Sequence, residues 1–258
     1  MSNNGTVVWH DLMTKDPAKS KEFFCDLFGW EIKTMDLGSH KYDMIHNKGE
    51  GIGGIMPFEN APAEAPSHWT AYVQVDSVDS ACGRATAAGG KVCVPPCDIP
   101  NIGRFAVIDD PTGGHISPYQ SANPDAQGPQ HEVPPVGHFC WEEMLTNDPV
   151  ATAAFYGEVF GWKVEEMDMG PMGTYRIFKA GDKMVAGTMQ MPPEAQSPPH
   201  WLSYIHADDV DAMAVRVNEL GGVTYCPPTD IPNIGRFSVN ADPAGAMFAL
   251  FKHAGAPG

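Results

Sequence analysis

The sequence is short of positive charge. Its 258 residues carry 16 Lys and Arg against 32 Asp and Glu, a formal net charge of −16. Arginine is scarcest: Arg84, Arg104, Arg176, Arg216 and Arg236 are the whole set. Nucleic acid and anionic membrane surfaces are polyanions that recruit Lys and Arg, so this balance excludes both as partners. Long apolar runs are missing too. None approaches the roughly 18 residues of a membrane span, and MSNNGTVVWHDL at the N-terminus has neither the basic region nor the apolar core of a signal peptide. The expected location is cytoplasmic. Six cysteines are present, Cys25, Cys82, Cys93, Cys97, Cys140 and Cys226, with no CxxC pair. That spacing supports neither a disulfide framework nor a zinc site. There is no nucleophile elbow, phosphate-binding glycine loop or HExxH. GIGG at Gly51–Gly54 lies between two expected strands, the wrong context for a dinucleotide.

What is present is an internal repeat. DIPNIGRF occurs at Asp98–Phe105 and again, letter for letter, at Asp230–Phe237. Asp16-Pro17 recurs as Asp148-Pro149, Phe28-Gly29-Trp30 as Phe160-Gly161-Trp162, His68-Trp69 as His200-Trp201, and Asp110-Pro111 as Asp242-Pro243. Only the Tyr42/Tyr175 region slips by one residue. A period this long means duplicated domains rather than a solenoid. The reading is one domain over residues 1–120, a Pro/Gly/Gln-rich linker over 121–137, and a second domain over 138–258.

Each copy reads as strands with two helices. An Asp followed by Pro is an N-cap with proline at the first helical position. Phe23, Phe24, Leu27 and Phe28 form an apolar stripe closed by Gly29. Strand-like runs follow at WEIKTM, KYDMIH and GIGGIMPF. The pattern then restarts with HWTAYVQV, a helix over Ser77 to Ala88, and the strands KVCVP, RFAVID and HISPY. The expected fold is α+β: four βαβββ modules, each pair a curved sheet forming a cup with helices outside, and cups hold ligands.

These residues resemble a known family. Four βαβββ modules are the architecture of the vicinal oxygen chelate superfamily, which includes glyoxalase I, extradiol dioxygenases and the fosfomycin-resistance and bleomycin-binding proteins. The resemblance rests on W-x-[DE]-[LM]-x-T-x-D-P at Trp9–Pro17 and Trp141–Pro149, on FF/FY followed by FGW, and on GRF-x-V-x-x-DP-x-G. It is strongest to the two-domain glyoxalase-like proteins sometimes labelled hydroxylases. It implies two tandem glyoxalase-like domains packed as an internal pseudo-dimer, with homo-oligomerisation left open.

Metal-using relatives hold a divalent ion in each cup, ligated from the first, fourth, fifth and last strands. Carried over, those positions are Trp9, Thr70 and Ser117 in copy one and Trp141, Leu202 and Ala249 in copy two. GIGGIMPF and MVAGTMQM, the fourth strands, contain no glutamate. Such positions do not make a hard-cation site, so no metal ligand is assigned and no cofactor is expected. Strand alternation turns Trp9, Asp11, Tyr72 and Gln74 inward in copy one, and Trp141, Glu143, Tyr204 and His206 in copy two. Glu143 and His206 are the candidate catalytic pair, a carboxylate orienting a general base or satisfied as a buried polar pair. Arg104 and Arg236, in the octamer, either clamp their loop to a carboxylate such as Asp98 or Asp230 or stand at a cup rim to receive an anionic group. The favoured reading is a metal-independent protein that binds a small organic molecule. The alternatives are a glyoxalase-type lyase or dioxygenase with a divergent Fe, Ni, Zn or Mn site, and a structural module whose cups are plugged by Trp9 and Trp141.

Overall fold

A computed structural model describes residues 3–36, 41–58, 65–123, 131, 133–170, 173–193, 195 and 197–255. Of the linker read over 121–137, residues 124–130 and 132 lie outside the described residues. The elements run β1 (Val7–Thr14), α1 (Pro17–Phe28), β2 (Glu31–Asp36), β3 (Lys41–Asn47), β4 (Glu50–Pro57), β5 (His68–Gln74), α2 (Val78–Ala87), β6 (Lys91–Ile99), β7 (Gly103–Asp109) and β8 (His115–Ser121). The second copy repeats them as β9 (Phe139–Thr146), α3 (Pro149–Phe160), β10 (Lys163–Asp168), β11 (Thr174–Ala180), β12 (Lys183–Gln190), β13 (His200–His206), α4 (Val210–Glu219), β14 (Val223–Ile231), β15 (Gly235–Ala241) and β16 (Met247–His253). This is the α+β arrangement of four βαβββ modules. Each copy forms one eight-stranded sheet, ordered β2-β3-β4-β1-β5-β8-β7-β6 and β10-β11-β12-β9-β13-β16-β15-β14.

The recurring residues do local jobs. Asp16 caps α1 by accepting from Lys19 N at 3.1 Å, and Asp148 caps α3 from Ala151 N at 3.0 Å. Each frees one helix-end amide from an unmet hydrogen bond. Gly29 and Gly161 close these helices in the left-handed region, φ 71° and 72°. Trp30 donates its indole N–H to Gly137 O, and Trp162 donates to Gly5 O. Asp110 Oδ1 accepts from the amides of Thr112, Gly113 and Gly114, which explains the DPxG signature as a turn lock.

The chain forms two compact units. The first comprises Met1–Trp9, Thr70–Gln130 and Glu142–Trp201. Its core joins Val73, Ala81 and Ile108 to Phe155, Tyr156 and Phe178. Tyr156 is fully buried and accepts from the Trp201 indole N–H at 2.9 Å. The second comprises His10–Trp69, His131–Trp141 and Leu202–Gly258, with a core that includes Leu12, Phe24, Ile55, Ile205 and Phe248. Burying one such aromatic stabilises by about 1.5–3 kcal/mol, and truncating it to Ala costs about 3–5 kcal/mol because a cavity is left.

Candidate functional site

Core membership fixes which way each strand faces. On β1, Leu12 joins the helix-packed core, so Trp9, Asp11 and Met13 take the opposite, cup-side face. On β5, Ala71 and Val73 pack into the core and leave Thr70, Tyr72 and Gln74 on the cup side. On β13, Ile205 is core, so Leu202, Tyr204 and His206 face the cup. On β1, β5 and β13 these residues therefore take the face away from the core.

In the first unit, Tyr72 lies opposite Ser117 in the parallel β5–β8 register, and its ring meets Phe105 and Tyr119 at centroid distances of 6.0 and 6.3 Å. The rings stand tilted and edge-on, the arrangement aromatic quadrupoles favour. Gln74 donates to Val75 O at 3.1 Å. Ser117 is 0% exposed, and its Oγ has no hydrogen-bond partner. In the second unit, Tyr204 pairs with Ala249 and meets Phe251 at 6.2 Å.

Asp11 and Glu143 are both 8% exposed. Tyr42 donates its hydroxyl to Asp11 Oδ1 at 2.6 Å, and its ring lies directly over Gly54, the register partner of Asp11. Glu143 pairs in register with Gly187, over which Tyr175 lies in the same way. The recurrent glycine exists because a tyrosine occupies the space of its side chain. Glu143 belongs to the first unit and His206 to the second. His206 is 7% exposed, and its Nδ1 donates to Pro134 O at 2.5 Å. The carbonyl can only accept, so a proton sits on Nδ1.

The family's ligand positions fail as a metal centre. Trp9 and Trp141 offer only indole, Leu202 and Ala249 offer nothing, and Thr70 and Ser117 offer neutral hydroxyls. A divalent ion needs convergent anionic or imidazole donors to offset its dehydration.

Arg104 and Arg236 stand on the helix side of their sheets. Arg104 shares its face with Ala106 and Ile108, which are core. It holds Asp79 of α2 through Nε and Nη2 at 2.9 and 3.0 Å, and Asp98 through Nη1 at 2.8 Å. Arg236 repeats this with Asp211 at 2.7 and 2.8 Å and Asp230 at 2.8 Å. These pairs raise both guanidinium pKa values further, Asp79 and Asp211 contributing most. The carboxylate clamp is what the geometry contains. Asn101 and Asn233 sit at φ 63°, a region few non-glycine residues tolerate. A side chain on Gly103 or Gly235 would strike the backbone oxygen of Gln120 or Lys252. In both copies, then, the octamer's Asn and Gly answer to the backbone and its Asp and Arg to the ion-pair clamp.

Two clusters escaped the sequence reading. Glu50 Oε2 accepts from His131 and His138 Nε2 at 3.1 and 3.3 Å. These hydrogen bonds, His131 first, hold the Glu50 carboxyl below its usual range, while burial lowers His138. Asn47 Nδ2 donates both to Val136 O and to His138 Nδ1, each at 2.8 Å. The carbonyl fixes the amide orientation, so His138 Nδ1 accepts and its proton sits on Nε2, facing Glu50. The trio is a clasp, because a metal needs Nε2 unprotonated. The other cluster is Cys93, Asp109 and His115. Desolvation first, then the Asp109 carboxylate, pushes the Cys93 thiol up to about 11, so it is no nucleophile at neutral pH. This holds although Cys93 is exposed overall. No sequence signal pointed to this group: Asp109 and His115 meet as register partners on β7 and β8, and Cys93 joins them at a register shift.

Comparison with known proteins places the chain. It belongs to the Glyoxalase/Bleomycin resistance protein/Dioxygenase superfamily, whose model matches residues 6–116 and again 136–250. It is 37% identical over 253 residues to a Mycobacterium tuberculosis protein named "Putative glyoxylase CFP32", covering 97% of this chain and 95% of that protein. It is 31% identical over 263 residues to the anthracycline biosynthesis protein DnrV of Streptomyces peucetius, covering 96% and 93%. The Mn(II)-bound glyoxalase from Novosphingobium aromaticivorans shares the fold, with a TM-score of 0.64 at 16% identity over 97% of this chain and 82% of that one. The two tandem glyoxalase-like domains are thus established. Among the described residues, no helix is long and apolar enough to cross a membrane.

Proposed function

We propose that the protein binds a planar organic molecule on its cup faces, within domains spanning 1–120 and 138–258, without the family's metal centre there. The observation that carries this reading is the set of indole, hydroxyl and aliphatic groups at the carried-over family positions Trp9, Thr70, Ser117, Trp141, Leu202 and Ala249, beside aromatic side chains on the same face. Trp9, Tyr72 and Gln74 would serve one cup face and Trp141 and Tyr204 the other. Arg104 and Arg236 are left out because their donors are spent on carboxylates across the sheet. A relative named for anthracycline biosynthesis supports a flat, fused-ring ligand class. Titration with an anthracycline, followed by tryptophan fluorescence, tests the proposal. Saturable quenching that weakens about tenfold or more in Tyr72→Ala or Trp141→Ala supports it. Equal, non-saturating quenching in all three proteins refutes it.

A second reading, catalysis with His206 as a general base, is favoured by one observation. The Pro134 carbonyl holds His206 as the tautomer whose Nε2 can accept a proton. Turnover of an anthracycline-class ligand that His206→Gln abolishes while binding persists would establish this reading over simple binding.

A further inference from the structure

Cys93, Asp109 and His115 come from three adjacent strands at one margin of the first sheet, where β6 is the outermost strand. Their donor atoms all lie within 4.8 Å of one another. Asp109 ends β7 and His115 begins β8, and the two are register partners. His115 Nδ1 pairs with Asp109 Oδ1. Cys93 sits at a register shift between Val92 and Val94. Such a bulge re-aims one side chain out of the regular pleat. Ile108 and Ile116 belong to the helix-side core, so Asp109 and His115 both present to the cup side.

The second copy is an internal control. It has the same strands and a register shift between Thr224 and Cys226. At the three equivalent places it carries Tyr225, Ala241 and Met247. The same backbone is therefore built in copy two without any of these donors. Their convergence in copy one needs another cause.

We propose that Cys93, Asp109 and His115 form a binding site for a thiophilic divalent ion of the zinc class. One sulfur, one nitrogen and one carboxylate oxygen make a donor set that suits Zn(II) or Co(II) and disfavours Mg(II) and Ca(II), which take oxygen ligands. On binding, the Cys93 thiol proton and the proton shared between His115 Nδ1 and Asp109 Oδ1 are given up to solvent, and the thiolate, the freed ring nitrogen and the carboxylate join the ion. The His115 side chain is 53% exposed, so solvent reaches the cluster and supplies a fourth ligand. The site is distinct from the family positions Trp9, Thr70 and Ser117. Along β8 it stands two residues from Ser117, about 7 Å at the usual strand rise.

The test uses the full chain, stripped with chelator and titrated with Co(II). One equivalent should bind and produce a sulfur-to-cobalt charge-transfer band, displaced by Zn(II). Cys93→Ser should abolish the band, and His115→Gln should weaken binding at least about tenfold. Cys226→Ser, in the copy lacking the trio, should leave both unchanged. Absence of the band in wild-type protein overturns the proposal, as does a band that survives Cys93→Ser. Should Cys93→Ser fold poorly, judged by circular dichroism, His115→Gln decides the same point: unchanged Co(II) affinity in that variant overturns the proposal. Anthracycline quenching is expected to survive Cys93→Ser, so failure of this site and failure of the cup reading are separable.

Discussion

Gly54→Ala probes the packing that presents Asp11 to the cup. A side chain there would begin 2.0 Å from Tyr42 Oη and 2.2 Å from Cζ, inside any allowed contact, so the ring must leave. Leaving takes the 2.6 Å hydrogen bond from Asp11 Oδ1. A hydrogen bond to a charged group contributes about 1.5–3 kcal/mol, and forcing the ring off its rotamer adds about 0.5–1.5 kcal/mol. Replacing a strand glycine by alanine returns about 0.5–1 kcal/mol. The net expectation is a loss of about 2–3 kcal/mol, or a Tm drop of roughly 5–10 °C for a chain of this size. In a Tyr42→Ala background the obstruction is gone, and the same Gly54→Ala change should turn neutral or mildly stabilising. Gly53→Ala is the control. Its added carbon would lie 2.4 Å from His10 O, a backbone atom, so Tyr42→Ala cannot rescue it. Thermal unfolding of the four proteins in the Gly54/Tyr42 cycle gives the coupling directly. Equal costs of Gly54→Ala in both backgrounds would refute the reasoning.

Arg236→Leu should raise amide exchange across Asp230–Arg236 by releasing the loop from Asp211 and Asp230, while anthracycline affinity stays unchanged; altered affinity would return the arginine to the ligand site. Asn233→Gly should be within a few tenths of a kcal/mol of wild type, whereas Asn233→Ala should cost about 1 kcal/mol because at φ 63° alanine lacks the short polar side chain that lets asparagine tolerate the left-handed region; equal stability in urea would contradict the turn account. His200 donates Nδ1–H to Pro198 O and buries an unpartnered Nε2, and desolvation lowers its pKa. The unfolded chain then binds the proton more readily, so this stability is full above about pH 6.5 and is lost as pH falls. Between about pH 7.5 and 5.5, His200→Phe should therefore lose less Tm than wild type, and an equal loss would sink the assignment.

Much of the fold was legible because its signals are local. Asp-Pro caps, the FGW helix ends and the DPxG turns each act within a few residues, and duplication displayed each of them twice. Strand phase placed Trp9, Tyr72, Tyr204 and His206 on the cup side because alternation needs only parity. The arginines were less legible. Asp98 and Asp230 are near in sequence, but Asp79 and Asp211 lie across a helix and depend on tertiary packing. The Cys93 cluster was hidden for a related reason: a bulge and two strand registers bring it together, and no spacing rule encodes those. The same holds for the Glu50 clasp, whose chemistry is decided by one hydrogen bond from Asn47.

The central claim is that the cups bind an organic ligand without a family-type metal. Anthracycline titration of the Cys93→Ser protein, with and without prior chelator treatment, tests it most directly, since that variant removes the proposed peripheral ion. The account predicts the same saturable quenching in both samples. Loss of binding after chelation, restored by Mn(II), would contradict it.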